Sequence, residues 1–252
     1  MSSREIYLDH AATTPVDPIV ADTMARVQAR CYANPSSPHA PGRRAYQKLD
    51  ESRSQILDDL NCPDATLIFT SGATEANYLA LQGLKSQPPT AVVTSQRDHE
   101  SLRNAAKSLD VFSTARVTVP LDQNGCLCTQ SLNNWLSSTK QNTSIKTDPT
   151  NETTSNILLV TTLVCGQTGA IENLSGIHEI LRKSVSRCTR HVDATQAVGK
   201  IPVSFAAINA TSLTFAPHKF GGPRGIECLL VQKTLNMRRS LQFPTFRNSW
   251  WY

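Results

Sequence analysis

The sequence lacks long hydrophobic runs and strong concentrations of charge. No apolar stretch approaches the roughly 18 residues that a membrane-spanning helix needs. The formal net charge of +5 is spread along the chain, and the only adjacent arginines are Arg43-Arg44 and Arg238-Arg239. This pattern favours neither a membrane protein nor a nucleic-acid-binding one. Residues 1–9 include no apolar signal segment, so we expect a cytoplasmic protein, with the mitochondrion as the alternative.

The cysteines show no spacing that indicates a disulfide framework. There are seven, an odd number scattered from position 31 to position 228. In a chain without a secretion signal, this pattern predicts free thiols in a reducing compartment. Cys126 and Cys128 lie close together but have too few ligand residues beside them for a zinc site. We therefore predict neither disulfides nor a bound metal.

Length and composition indicate an ordinary globular α/β protein. The 252 residues, of which 39% are hydrophobic and 18% charged, can form one large domain or two small ones. Helical and strand-like apolar patterns alternate along the chain. They predict helices over 18–32, 45–60 and 174–185, and strands over 65–70, 91–95, 111–119 and 157–164. This alternation predicts one doubly wound, mostly parallel sheet flanked by helices.

Shifts in composition suggest the domain organisation. Residues 1–15 are predicted to be extended and residues 16–235 to form the main domain. From 129 to 156, Ser, Thr, Asn, Gln and Lys dominate, and few apolar residues follow Trp135. Such a segment cannot offset its ordering entropy by burial, so a loose polar insertion is predicted there, and we assign it no function. Residues 236–252 form an atypical aromatic tail, which would favour association if exposed.

A strand, a turn of small residues and a helix start follow one another between residues 65 and 84. The turn begins with Ser71-Gly72-Ala73-Thr74. Free backbone N–H groups and the positive end of the helix dipole bind anions in such a turn, and Ser71 or Thr74 can add a hydroxyl donor. The same residues also fit an ordinary N-cap, in which Ser or Thr opens the helix. The turn is therefore a candidate phosphate site with a simpler structural alternative.

A carboxylate and an amine extend this candidate site. Asp193 follows a short strand, where side chains point into the crevice in which open α/β sheets bind ligands. Lys219 lies between His218 and a Gly-Gly-Pro turn that permits close approach to the backbone. Alone, such a lysine is more often a solvated loop charge. Together, the three features supply what pyridoxal 5'-phosphate requires: a phosphate anchor, an anion for the ring nitrogen and an amine for the aldehyde.

Five segments resemble the NifS-type cysteine desulfurases and the related selenocysteine lyases, which are class-V, fold-type I pyridoxal-phosphate enzymes. They cover residues 7–15, 34–42, 69–77, 191–200 and 218–225. The resemblance runs from residue 5 to residue 231. It implies the large α/β domain of that fold, bound pyridoxal 5'-phosphate and a homodimer. It also implies a PLP-dependent enzyme that converts L-cysteine or L-selenocysteine to L-alanine. The sulfur would pass to an acceptor protein for iron–sulfur cluster or thio-cofactor assembly.

The resemblance also implies a role for each matching residue. Lys219 would bind the cofactor covalently and move a proton at the substrate's α-carbon. Asp193 would pair with the ring nitrogen, and His99 would stack on the ring as a second catalytic residue. Gln196 would donate a hydrogen bond to the phenolic oxygen of the ring. The phosphate would be held by Ala73, Thr74 and His218.

The sequence departs from the family pattern in three places. Cys165-Gly166-Gln167 stands where an Asn-Asn-Glu turn is usual, and Ala216 stands where a serine is usual. Each lost hydrogen bond to a charged group costs about 1.5–3 kcal/mol, so we expect more than tenfold weaker cofactor binding per loss. No cysteine occupies the position of the family's nucleophile. We therefore expect a C-terminally truncated chain that lacks the small domain and turns over substrate weakly or not at all.

Three hypotheses follow from these residues and departures. The first is a cysteine desulfurase and the second a selenocysteine lyase, which the quoted segments suit equally. The third is a catalytically inactive module that binds the cofactor or dimerises.

Overall fold

Alternating strands and helices build a seven-stranded sheet in the computed structural model, which describes residues 6–84, 88–110, 114–141, 156–185 and 187–233. The strands are β1 (Ala65–Thr70), β2 (Ala91–Ser95), β3 (Ala115–Val119), β4 (Asn156–Thr162), β5 (Arg187–Asp193), β6 (Ser212–Phe215) and β7 (Glu227–Gln232). The helices are α1 (Pro18–Arg30), α2 (Ala40–Asp59), α3 (Ala73–Gln82), α4 (Glu100–Lys107), α5 (Thr129–Gln141), α6 (Leu174–Ser184) and α7 (Phe205–Ile208).

The sheet is mostly parallel, as the alternation of strands and helices predicts. Its strand order is β1-β7-β6-β5-β4-β2-β3. Only β7 runs antiparallel to its two neighbours, and the other neighbouring pairs are parallel. The apolar run of β4 is buried between β5 and β2, as expected of a central parallel strand. The carboxyl ends of six strands and the start of β7 therefore meet at one edge of the sheet.

Helices cover both faces of the sheet. On one face, α3 and α4 pack Leu81 and Leu102 against Leu158 of β4 and Leu229 of β7. On the opposite face, α5 and α6 pack against alternate residues of β2 and β4, and α2 and α7 pack against the half of the sheet that contains β1, β7 and β6. The alternating side chains of each strand thus enter two separate apolar layers. By contrast, α1 has no buried residue.

The predicted loose insertion over residues 129–156 is wrong in its first part. Thr129–Gln141 forms α5, and β4 already begins at Asn156. Leu132 and Leu136 lie four positions apart on one helix face and are buried, at 0% and 3% exposure, against the α6 side of the sheet. Burying one such side chain contributes about 1.5–3 kcal/mol, so two leucines offset ordering that the polar composition alone would not support. The rest of the segment, residues 142–155, lies outside the described residues.

Helix α2 starts five residues before the predicted start at residue 45. The Nδ1 atom of His39 accepts a hydrogen bond from Gly42 N at 3.2 Å, and Pro41 lies in the first turn. A side-chain acceptor before the first turn and a proline within it are both favourable at a helix start. The sequence signals for this helix start were therefore present, but they lie in a stretch whose prolines and serines are equally typical of a loop.

Other expectations for the chain stay predictions. The aromatic tail over 236–252 lies outside the described residues, and the domain limits at 15 and 235 are untested. Among the described residues, no helix is both long and apolar enough to cross a membrane.

Candidate functional site

A cavity of about 580 Å³ opens where the parallel strands end. Its walls come from the segments that follow β1, β2, β4, β5 and β6, and from the first residue of β7. Crevices at the carboxyl ends of strands are the usual ligand sites of open α/β sheets. The residues singled out from the sequence all line this one cavity: Ala73, Thr74, His99, Asp193, Gln196, His218 and Lys219.

The start of α3 provides an anion site, which we define as Gly72, Ala73 and Thr74. Gly72 is the N-cap, and no side chain in the described part of the chain caps the N–H groups of the first turn. The hydroxyl and backbone N–H of Ser71 both donate to Glu75 Oε2 at 2.7 Å, so Ser71 is engaged elsewhere. Uncapped N–H groups and the positive helix end at the wall of a cavity favour a bound anion.

Asp193 is held in place by a chain of buried hydrogen bonds. Its Oδ1 accepts from Thr195 N at 2.9 Å, and its Oδ2 accepts from Asn77 Nδ2 at 3.2 Å. Asn77 Oδ1 lies 3.0 Å from His191 Nε2, and His191 Nδ1 lies 2.8 Å from Ser212 Oγ. Burial lowers the pKa of His191, so its ring is neutral. Its single N–H then donates to Asn77, and the network orients the Asp193 carboxylate toward the cavity.

The Lys219 amine lies in a tight turn after β6 and is more easily deprotonated than an ordinary lysine. Pro217–Lys219 forms a single 3-10 turn, and a Cβ on Gly222 would collide with Pro217. Burial lowers the pKa of Lys219, and Lys200 lowers it further, whereas Asp193 opposes the shift. A lysine nucleophile needs such a lowered pKa.

The N-terminal segment lies across this lysine turn. Lys219 Nζ donates to Ala11 O at 2.8 Å and to Ala12 O at 2.7 Å. Thr14 N donates to His218 O at 2.8 Å, and Gly221 N donates to Thr14 Oγ1 at 2.7 Å. Two backbone carbonyls thus hold the Lys219 amine, which has to leave them before it can reach a ligand in the cavity.

Three further predicted residues line the cavity with their polar atoms engaged. His99 Nδ1 accepts from Ser101 N at 3.2 Å, so this ring also caps α4. Gln196 Nε2 donates to Ala11 O at 2.7 Å. His218 Nδ1 lies 3.1 Å from Thr13 Oγ1. Stacking by His99, a ring-oxygen contact by Gln196 and a phosphate contact by His218 therefore stay predictions.

The donor set of the cavity fits pyridoxal 5'-phosphate. Its volume is within the roughly 300–1,000 Å³ of typical ligand sites. The anion site, the Asp193 carboxylate and the Lys219 amine supply one partner each for the phosphate, the ring nitrogen and the aldehyde. Thr162 Oγ1 and Thr195 Oγ1 also line the cavity, and both are buried without a hydrogen-bond partner among the described residues. The site thus has buried polar atoms to offer a ligand.

Comparison with protein families gives one match that covers most of the chain. The profile described as Aminotransferase class-V matches residues 6–243. The chain belongs to the class-V aminotransferase family. Members of this family depend on pyridoxal 5'-phosphate, which confirms the expected cofactor class. The match extends to residue 243, so the expected end of the resemblance at residue 231 was too early.

Similar sequences within the class-V family include cysteine desulfurases. The mitochondrial cysteine desulfurase of Candida maltosa is 31% identical over 240 residues, which are 94% of this chain and 46% of the relative. Cysteine desulfurase IscS of Escherichia coli O139:H28 is 30% identical over 243 residues, which are 94% and 56% of the two chains. The chain therefore spans about half the length of the curated relatives it matches.

Solved structures agree with the predicted fold-type I architecture. A protein titled "NIFS-LIKE PROTEIN" superposes with a TM-score of 0.78 at 25% identity, over 91% of this chain and 60% of the other. A structure titled "SspA in complex with cysteine" gives a TM-score of 0.74 at 25% identity, over 91% and 62%. The fold of this class-V chain is thus that of the NifS-like proteins.

Three residues that shape the cavity were not predicted from the sequence. Asn77 is fully buried and holds Asp193. Asp98 accepts from Ser95 N at 2.7 Å and from Thr162 N at 2.9 Å, which ties the ends of β2 and β4 together. The Arg97 side chain, 2% exposed, pairs with Glu172 at 3.7 Å. The signals present in the sequence were an amide on the apolar face of α3, and the adjacent charges Arg97 and Asp98 one residue beyond the end of a buried strand.

Proposed function

We propose that the protein is a pyridoxal 5'-phosphate-dependent cysteine desulfurase that converts L-cysteine to L-alanine. One observation carries the proposal: the Lys219 amine, the Asp193 carboxylate and the anion site lie around a single cavity. The similarity to cysteine desulfurases of Candida maltosa and Escherichia coli supports L-cysteine as the substrate.

Each residue contributes a distinct function to this proposal. When bound, pyridoxal 5'-phosphate supplies an aldehyde for an amine and an electron sink for the substrate's α-carbon. The N–H groups of Ala73 and Thr74 hold the phosphate at the positive end of α3. Asp193, fixed by Asn77, keeps a proton on the ring nitrogen because a nearby carboxylate favours the charged form. Lys219 binds the aldehyde and moves a proton at the α-carbon.

Partners and location are further parts of the proposal. An exposed apolar surface on the N-terminal segment and α1 supports a homodimer, because Ile6, Leu8, Ile19 and Met24 are 77%, 86%, 75% and 45% exposed. We propose that the released sulfur passes to an acceptor protein for iron–sulfur cluster or thio-cofactor assembly. The proposed location is the cytoplasm, with the mitochondrion as the alternative.

An inactive cofactor-binding or dimerisation module is the second candidate. Two observations favour it: Lys219 Nζ is bound by two backbone carbonyls, and Cys165-Gly166-Gln167 replaces a turn that usually contacts the ring. A selenocysteine lyase differs from the first proposal only in substrate, and measurement on L-selenocysteine distinguishes the two.

The test compares the wild type with Lys219→Ala and with Lys48→Ala, which removes an exposed lysine of α2. We expect added pyridoxal 5'-phosphate to give visible absorbance in the wild type and in Lys48→Ala but not in Lys219→Ala. A colourless wild type would refute cofactor binding. If the wild type shows the absorbance and releases alanine and sulfide from L-cysteine, the desulfurase is supported. If it shows the absorbance but releases alanine from neither L-cysteine nor L-selenocysteine, the inactive module is supported.

A further inference from the structure

Glu227 is a buried carboxylate that the proposed function does not use. It is the first residue of β7, the antiparallel strand, so it lies at the sheet edge where the other strands end. The residue is 4% exposed and lines the cavity. Its Oε2 has no hydrogen-bond partner among the described residues, and its Oε1 lies 3.8 Å from His218 Nε2. Burying a charge without hydrogen bonds costs free energy of folding, so a carboxyl group in this position indicates a functional role.

Glu227 lies beside the anion site. Its Oε2 is 4.0 Å from the position that a Cβ on Gly72, the uncapped N-cap of α3, would occupy. A carboxylate near a helix N-terminus interacts favourably with the positive end of the dipole. A carboxyl group therefore lies beside the anion site, close to where a phosphate would enter.

Few other charges surround Glu227 within the ranges that the structure describes. The flanking strands β1 and β6 carry no charged side chain. On α3 the charged residue is Glu75, which accepts from Ser71. His218 and Lys219 approach from the turn after β6. Burial raises the pKa of Glu227 and Lys219 opposes that shift, so the carboxyl group takes up a proton more readily than an exposed glutamate.

We propose that Glu227 makes the anion site proton-linked: its carboxylate lies beside the site in the free protein, and its protonated form accommodates a phosphate there. The inference rests on the proposed function in that the phosphate is that of the cofactor. Phosphate entry brings two negative groups together at close range, which the protein relieves by taking one proton from solvent onto Glu227. Binding of a phosphorylated ligand then weakens as Glu227 loses its proton.

The test measures dissociation constants of pyridoxal 5'-phosphate and of pyridoxal, which lacks the phosphate, by absorbance titration. The variants are Glu227→Gln, Glu227→Ala in case the amide disturbs folding, and Glu100→Gln. Glu100 is an exposed glutamate at the rim of the same cavity, so its replacement makes the same charge change where solvent screens it. Titrations are made at about pH 8 and about pH 4, because the ordinary pKa of glutamate is about 4.3 and burial raises that of Glu227.

At the higher pH we expect Glu227→Gln to bind pyridoxal 5'-phosphate at least about tenfold more tightly than the wild type. The reason is that repulsion between two close negative charges, at an effective dielectric constant near 20, weakens binding by more than tenfold. At the lower pH the two should converge, and neither Glu100→Gln with either ligand nor any variant with pyridoxal should show the effect. If the wild type and both Glu227 variants bind pyridoxal 5'-phosphate equally well at the higher pH, the inference is wrong and the proposed function stands. No binding of either compound by any variant would overturn the proposed function as well.

Discussion

Replacing Asn77 by alanine should destabilise the protein through the two buried groups that it leaves behind. Asp193 Oδ2 and His191 Nε2 each lose their hydrogen bond to the amide. Leaving a buried polar group unpaired costs about 1–3 kcal/mol, so two groups cost about 2–6 kcal/mol. For a protein of this size, 1 kcal/mol lowers the melting temperature by about 2–4 °C. We therefore expect Asn77→Ala to melt at least about 4 °C below the wild type.

Gln82→Ala is a matched control on the same helix. Gln82 is also a buried amide of α3, and its Nε2 donates to Ser108 Oγ at 2.8 Å. Ser108 is partly exposed and its hydroxyl still donates to Ala105 O at 2.6 Å, so this variant leaves no buried group unpaired. We expect a cost of about 1 kcal/mol, and unaltered binding of pyridoxal 5'-phosphate.

The assay is thermal unfolding followed by circular dichroism, together with titration of the cofactor. Asn77→Ala should lose both stability and cofactor affinity, since Asp193 is no longer oriented, whereas Gln82→Ala should lose only a little stability. Equal melting temperatures of the two variants would refute the assignment of Asn77 as the residue that holds Asp193.

Two further predictions concern the lysine turn and α5. Lys200 lowers the pKa of Lys219, so Lys200→Gln should raise that pKa, and the rate of cofactor attachment should need a higher pH to reach its maximum. Lys200 is exposed, so we expect a shift of less than about one pH unit, measured by stopped-flow absorbance; an unchanged profile would contradict the charge effect. Leu132→Ala should lower the free energy of unfolding, measured in urea, by about 2–5 kcal/mol because the side chain of this α5 residue is fully buried. A loss below about 0.5 kcal/mol, as expected of a surface position, would instead support the loose segment that the composition predicts.

Local patterns predicted the parts of the site that lie within one strand–turn–helix unit. The turn before α3 and the lysine turn follow apolar strands, and the Asp193 carboxylate ends β5. Parallel strands bring their carboxyl ends to one edge. Their convergence on one cavity could therefore be expected from the alternation of strands and helices. The ligand roles of the individual side chains stay predictions.

Features that depend on contacts distant in sequence were not predictable. Asn77 binds a carboxylate 116 positions away. Glu227 lines the cavity only because β7 runs antiparallel to its neighbours, and no local signal gives that direction. Helix α5 has a polar composition, but burial of its two leucines stabilises the helix despite the low average hydrophobicity of the segment. In each case a tertiary contact outweighed the local propensity.

The pairing of β1 with β7 bears on how the chain folds as it is made. Ala65 pairs with Gln232, so β1 gains this neighbour only after the intervening part of the chain has been synthesised. At about 5–20 residues per second, the edge of β1 stays open for roughly 10–30 s. An unpaired apolar strand is a template for association during that interval. Of the strands that line the cavity, β7 with Glu227 is thus synthesised last, and the cavity is complete only after β7 has paired with β1 and β6.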